Sequence, residues 1–284
     1  MEARRSPFCL FLFYFSVSFH LQYRHWKASQ SSFEGLTLDR NTNTLWALLQ
    51  SATIQDSNKG SKTTIRYTRI LGYDVSNVLK PKLVHEYVVP LPISSKGNVR
   101  KASELHIVDS ETFLILSRDG SGFGDTDPKS TFKQADLIST KNATDIANTK
   151  YDEPANPISP NGVLVSDITP VQYQSFVDLV NKYELAKFGL QSGGAFDKTL
   201  IASKLESLAL ASCQDSKNPN DYFLFVVSDN DFITQNGFQA SQVANGSYVV
   251  EPYSDPYPGG SADTQAFIYR VTLPINGRAQ PGYN

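Results

Sequence analysis

Three glutamates stand at the same point of a repeated pattern, and they are the residues best placed to do chemistry. Each opens a short apolar run: Glu34-Gly35-Leu36-Thr37-Leu38, Glu104-Leu105-His106-Ile107-Val108 and Glu206-Ser207-Leu208-Ala209-Leu210. A second apolar run follows each one, Leu45 to Gln50, Phe113 to Asp119 and Phe223 to Asp229. The last two end in polar residues, Ser117-Arg118-Asp119 and Ser228-Asp229-Asn230-Asp231. If equivalent strands of a radial fold carry the three glutamates, their carboxylates converge. Converging carboxylates repel, and a cation between them relieves the repulsion. Calcium takes about 6–8 oxygen ligands at about 2.3–2.6 Å, whereas softer metals favour His or Cys. The expected metal ligands are therefore Glu34, Glu104, Glu206, Asp229 and Asp231, with the Asn230 amide beside them. Calcium is the expected ion. It would polarise an ester and activate a water. Arg118 would grip a phosphate oxygen through its planar fork. Asp119 would orient that arginine or serve as a general base.

Plainer roles compete for the same residues. Each glutamate would also serve as a hydrogen-bond partner for neighbouring backbone. Arg118-Asp119-Gly120 also reads as a turn with a local ion pair. Asp229-Asn230-Asp231 also reads as an Asx turn closing a hairpin, and it lacks the glycine and distal glutamate of an EF-hand loop.

The elements that must position these residues read as short strands separated by Gly, Pro, Asn, Asp and Ser. Arg69 to Val75 and Leu83 to Leu91 extend the first repeat, Thr131 to Ile138 the second, and Gln265 to Leu273 the third. Up to four antiparallel strands per repeat is the blade of a β-propeller. The expected fold is all-β and propeller-like, with three blades, or four, and incomplete at its N-terminus; an irregular β-sandwich is the alternative. The best helical candidate runs from Gln172 to Phe188. Insertions are expected at 140–200 and 233–262, where Tyr253 and Tyr257 would offer an exposed aromatic surface.

Composition sets the outer bounds. The 284 residues carry 26 Lys+Arg against 28 Asp+Glu, which excludes nucleic-acid binding by bulk charge. Charged residues make up 19% with no long like-charge block, which argues against wholesale disorder. Two cysteines, Cys9 and Cys213, are too few for a disulfide framework. No G-x-S-x-G elbow and no P-loop is present. Residues 1–32 stand apart: Arg4 and Arg5 precede an apolar run, Pro7 to Phe19, that is too short to span a bilayer. This segment reads either as a secretory signal or as a vestige of a lost N-terminus, with the folded domain at 33–284. The sequons Asn142-Ala143-Thr144 and Asn245-Gly246-Ser247 suit a secreted chain.

Taken in order, these segments resemble the phytase-like family, the proteins with esterase-like activity of phytase. The resemblance rests on Phe33-Glu34-Gly35-Leu36-Thr37, Arg69-Ile70-Leu71-Gly72-Tyr73-Asp74, Ser103-Glu104-Leu105, Leu116-Ser117-Arg118-Asp119-Gly120, Ile168-Thr169-Pro170-Val171, Lys187-Phe188-Gly189-Leu190, Lys204-Leu205-Glu206 and Ser228-Asp229-Asn230-Asp231-Phe232. It covers roughly residues 33–275. It implies a secreted, metal-dependent hydrolase of phosphoric or other esters. The expected partner is a small-molecule or phosphorylated ester substrate, with no nucleic-acid partner and no stable membrane span, and the protein is expected to be a monomer. Two departures stand out: Ser117 occupies the place of an acid in the family's Glu-Arg-Asp, and Ser207 that of a glycine in Glu-Gly-Leu. They keep two alternatives open, a non-catalytic binding module and a truncated, inactive member.

Overall fold

The structure, a computed structural model, describes residues 32–57, 61–231, 237–252, 263–275 and 279–280. The apolar N-terminal segment, Tyr253 and Tyr257 lie outside the described residues. The chain divides into two compact units. The first holds residues 1–117, 135–176 and 274–284; the second holds 118–134 and 177–273.

The first unit opens with a four-stranded meander, β1 (Phe33–Asp39), β2 (Thr44–Leu49), β3 (Tyr67–Asp74) and β4 (Lys82–Pro90), paired antiparallel in that order. The sheet of β5 (Lys101–Ile107), β6 (Thr112–Arg118), β7 (Lys133–Ser139) and β8 (Gln172–Asp178) is likewise in chain order. Strand β2 explains why simple alternation fails as a guide here. All six of its residues are buried, because alternate side chains feed opposite cores. Trp46 and Leu48 join Ile70, Leu105, Phe113 and Ile115 on one side. Leu45, Ala47 and Leu49 join Leu71 and Tyr73 on the other.

Strand β1 packs on β5, and Gly35 permits the approach. A Cβ there would lie 2.6 Å from both Cβ and N of Leu105, so any side chain must push the strands apart. The Ile107 amide donates to Thr37 Oγ1 (3.1 Å), and the Ala102 amide to the Gln50 carbonyl (3.0 Å). The Gly35 of the repeated segment is thus explained by packing.

Arg69 is the largest fully buried side chain of this unit and is held by carboxylates. Its Nε and Nη2 donate to Asp56 Oδ2 and Oδ1 (2.8 and 2.9 Å) in a bidentate fork. Its Nη1 donates to Glu86 Oε1 (2.6 Å) and to the Tyr151 carbonyl (3.1 Å). Asp56 sits in a one-turn helix, α1 (Ile54–Ser57), capped by Thr53 Oγ1, which accepts from the Asp56 amide (3.1 Å). Asp56 also accepts from the Ile158 amide (3.0 Å). The cluster thereby ties α1, β3 and β4 to the loop at 151–159.

The second unit has a three-stranded antiparallel sheet, β13-β10-β9, from β9 (Leu205–Ser212), β10 (Asp221–Ser228) and β13 (Ala266–Thr272), and a hairpin of β11 (Phe238–Gln242) and β12 (Tyr248–Pro252). The strand runs read from the sequence fall on strands, and the chain is mostly β. Its sheets are antiparallel and none is closed on itself. The helix expected from Gln172 to Phe188 is corrected: its first half is strand β8, and only α2 (Lys182–Ala186) is helical. Gln172–Asp178 extends because the Phe176 amide and the Tyr173 hydroxyl both reach the buried Asp136 carboxylate (3.0 Å each). The helix begins only at Asn181, whose side chain caps the amides of Tyr183 and Glu184. Among the described residues no helix is long and apolar enough to cross a membrane.

Burial raises the Glu86 carboxyl from 4.5 to about 7; Arg69 opposes the shift, and Asp152 and Asp56 add to it. A carboxyl raised in the folded state binds a proton that the unfolded chain releases. Its contribution is complete below about pH 4.5 and is lost as pH climbs through about 7. Each unit of difference is worth on the order of 1.4 kcal/mol. The first unit should therefore melt at progressively lower temperature between pH 4 and pH 8. Glu86→Gln keeps an acceptor for Arg69 but cannot titrate, so it should flatten that slope. Calorimetry across the pH series reads both, and an unchanged slope in the variant refutes the assignment.

Candidate functional site

Two of the expected site residues meet in the second unit. Arg118, at the end of β6, donates from Nη2 to Glu206 Oε1 on β9. Its Nη1 reaches the Asp119 and Ser203 carbonyls (3.3 and 3.4 Å). Its buried Nε has no hydrogen-bond partner. Side-chain exposure is 14% for Arg118 and 20% for Glu206, so the pair is shielded but reachable.

Asp119 has a further set of partners in its own loop. Its carboxylate closes the excursion between β6 and β7, accepting from Ser130 Oγ (2.7 Å), the Thr131 amide (2.7 Å) and the Phe132 amide (3.0 Å). Beneath it lies Lys133, whose side chain is wholly buried. Lys133 Nζ donates to the Ser121 and Ser203 carbonyls (2.8 and 2.9 Å) and lies 3.4 Å from Asp119 Oδ1. Burial pushes this amine down to about 8, against the pull of Asp119, and nearby Arg118 adds to the fall. With no exposure, Lys133 supports the loops that frame Arg118.

The turn after Asp119 is glycine-rich because it docks flat on a neighbouring segment. Gly122 has φ +128°, and a Cβ there would stand 2.7 Å from the Ile201 carbonyl oxygen. The flanking Phe123 amide donates to that carbonyl (2.9 Å), and the Ser203 amide returns a bond to the Phe123 carbonyl (2.8 Å).

Asp229 and Asp231 do come together, as an Asx turn: the Asp231 amide donates to Asp229 Oδ1 (2.9 Å). Lys204 Nζ pairs with Asp231 Oδ1 (2.5 Å). Asp229, Asn230 and Asp231 line a small cleft with Ser203, Ser228 and Gln265. A wider cavity of about 270 Å³, walled by Phe123, Leu190, Phe267 and Gln265, lies alongside with Asp197, Lys198 and Asp263.

In the first unit Glu34 accepts from Ser32 Oγ (2.6 Å) and from Gln50 Nε2 (3.0 Å), whose Oε1 accepts from Lys101 Nζ (3.1 Å). Glu104 Oε1 accepts from the Leu105 amide (2.7 Å). Among the described residues, no group of three or more His, Cys, Asp or Glu side chains is placed to hold a metal ion. The carboxylates of Glu206 and Asp231 each already face a cation. The described donors therefore do not fit a preassembled calcium site.

Ser117 is fully buried in the first unit, and its Oγ stands 3.3 Å from the Tyr173 hydroxyl, which in turn donates to Asp136. An acid in its place would be buried beside a second carboxylate, which the serine avoids.

With this geometry in view, comparison with known proteins decides the family. The phytase-like description, esterase-like activity of phytase, matches residues 19–232. The chain belongs to the phytase-like family. A protein of Arthroderma benhamiae, named an uncharacterized secreted protein, is 40% identical over 230 residues, covering 75% of this phytase-like chain and 44% of that protein. The chain thus spans about half the length of this relative. Its name supports an extracellular location for the phytase-like chain. No solved structure matches.

Sequence reasoning gave no site role to Lys133 or Lys204. For Lys133 the available signal was a lysine opening the apolar stretch Lys133-Gln134-Ala135-Asp136-Leu137-Ile138, where a strand about to be buried rarely begins with a charge. Removing one member of the Arg118–Glu206 pair should cost about 1–3 kcal/mol, since it strands a partly buried charge. The double change Arg118→Met with Glu206→Gln should cost less than the sum of the single changes. Urea unfolding of the four proteins in a double-mutant cycle measures this, and additive costs would show that the pair is not coupled.

Proposed function

We propose that this phytase-like protein is a secreted ester hydrolase that takes phosphoric esters at the Arg118–Glu206 pair. The observation that carries this reading is the pairing itself: a shielded guanidinium with one unsatisfied N–H, held against a single carboxylate. A phosphoryl group offers the guanidinium the same bidentate geometry as a carboxylate and carries more charge. On binding it would displace Glu206. The freed carboxylate would then accept the proton of an attacking water, the general-base role otherwise expected of Asp119, whose carboxylate is committed to loop amides. Lys133 would contribute through position, by fixing the carbonyls of Ser121 and Ser203 around the arginine.

Calcium is the ion expected from the acid-rich pattern, and it would supply Lewis acidity. Because the described donors do not fit a preassembled site, no step is routed through it. The repeated meanders, with β1 packed on β5, support reading the sheets as propeller blades.

A second reading, a non-catalytic binding module, is favoured by one observation. Glu34, Glu104, Glu206, Asp119 and Asp231 all accept hydrogen bonds within their own unit, so each has a sufficient structural role.

The secreted chain should be assayed on p-nitrophenyl phosphate, an inositol phosphate and p-nitrophenyl acetate, with calcium and with chelator. The expected result is phosphate release that falls about 10²-fold or more in Arg118→Met and about 10²–10⁴-fold in Glu206→Gln. Release unaffected by both substitutions would remove this pair from the reaction. No hydrolysis of any of the three substrates would leave the binding module.

A further inference from the structure

Among the described residues, the hairpin of β11 and β12 presents an apolar face that stays exposed. Its register pairs Phe238 with Pro252, Ala240 with Val250 and Gln242 with Tyr248, and directly paired residues share a face of the ribbon. Phe238, Val250 and Tyr248 are 73%, 76% and 68% exposed. A patch of this kind on a secreted protein calls for a partner or a cover.

The cover is encoded at the tip of the same hairpin. Val243 and Ser247 close a three-residue loop, the Val243 amide donating to the Ser247 carbonyl (2.9 Å). Gly246 takes φ +82° with no atom near its missing Cβ, as a three-residue hairpin loop requires. Asn245 at the apex begins the sequon Asn245-Gly246-Ser247. Asn245, Gly246 and Ser247 are all exposed, and Ser247 Oγ donates to Asn245 Oδ1 (2.5 Å). The hydroxyl that the sequon requires is thus already on the carboxamide.

The sequon at Asn142 differs. Asn142 is exposed, but Thr144 is half-buried and tied into the fold. Its Oγ1 accepts from the Thr169 amide (2.9 Å), and its own amide donates to the Thr169 carbonyl (2.9 Å). Asn245 is therefore the sequon that stays open after folding.

We propose that Asn245 carries an N-linked glycan, and that this glycan covers the apolar face of its hairpin beginning at Tyr248. The donor is a lipid-pyrophosphate-linked oligosaccharide. Asn245 Nδ2 forms a bond to the anomeric carbon, the bond from that carbon to phosphate oxygen breaks, and lipid pyrophosphate leaves with the electron pair. The displaced amide proton passes to base. The first sugar then lies within two or three residues of the Tyr248 ring, and the apolar face of a pyranose packs on such a ring. The proposal rests on passage through a secretory route and is independent of whether the protein hydrolyses esters.

The full chain secreted from a yeast host, with Asn245→Gln, Ser247→Ala and Asn142→Gln variants, tests it. Peptide mapping after peptide:N-glycosidase treatment in ¹⁸O-water marks each occupied asparagine. The expected result is a mark at Asn245 that survives Asn142→Gln and disappears in Ser247→Ala. Enzymatic removal of the glycan should raise the fluorescence of an apolar-surface dye several-fold, and the added change Phe238→Ser with Val250→Ser should abolish that rise. An unmarked Asn245 in the secreted wild-type chain overturns the site. A marked Asn245 with dye fluorescence unchanged on glycan removal overturns the cover.

Discussion

The arrangement of the first unit depends on one buried guanidinium. Arg69 stands within β3, where strand alternation would ordinarily place an aliphatic residue, and Asp56, Glu86 and the Tyr151 carbonyl accept from it. A buried ion pair adds little net stability over a hydrophobic substitute, yet removing one partner costs about 3–5 kcal/mol because the other is left charged in the interior. The consequence is specificity of arrangement. The loop at 151–159 buries Tyr151 and Ile158 in an apolar cluster with Val88, Ile146 and Ile168, and the Tyr151 carbonyl and the Ile158 amide tie it further to the Arg69–Asp56 network.

The second unit solves the same problem with a lysine. Turn 119–132 and segment 200–204 bury Phe123, Leu200, Ile201 and Ala202, and they also meet over backbone carbonyls that need donors. Lys133 supplies the donors from below and Asp119 the acceptors from above. In both units a buried ion fixes irregular chain against a regular sheet. That is also why several residues suited to catalysis have structural duties: the charge that can organise a substrate can organise a loop.

Much of the sheet pattern was legible in the sequence, because short apolar runs bounded by turn residues leave few options. The strands of all three repeats fall where those runs predicted them. The segment at Gln172 was not legible, since its extended form depends on Asp136, a residue 36 or more positions away and itself buried. Periodicity carries no information about such a partner. The site was legible in part. Arg118 and Glu206 were both singled out, but as members of different groups, a substrate clamp and a metal ligand. Their pairing joins residues 88 positions apart, which no local signal encodes. The lysines were missed because a lysine in a polar-flanked run looks solvated until the chain around it is folded.

The repetition of glutamate at strand starts can now be weighed by what each one touches. Glu34 accepts from a serine and a glutamine, Glu104 from the next amide in its own strand, and Glu206 from an arginine. Three copies of one position have acquired three kinds of partner. Local satisfaction lets each copy take its own partner, as Gly35 and Ser207 already differ at the following position. Glu206 faces a cation that a phosphoryl group would compete for. The repeat therefore has a structural use at each of its three positions, and Glu206 is the copy that pairs with Arg118.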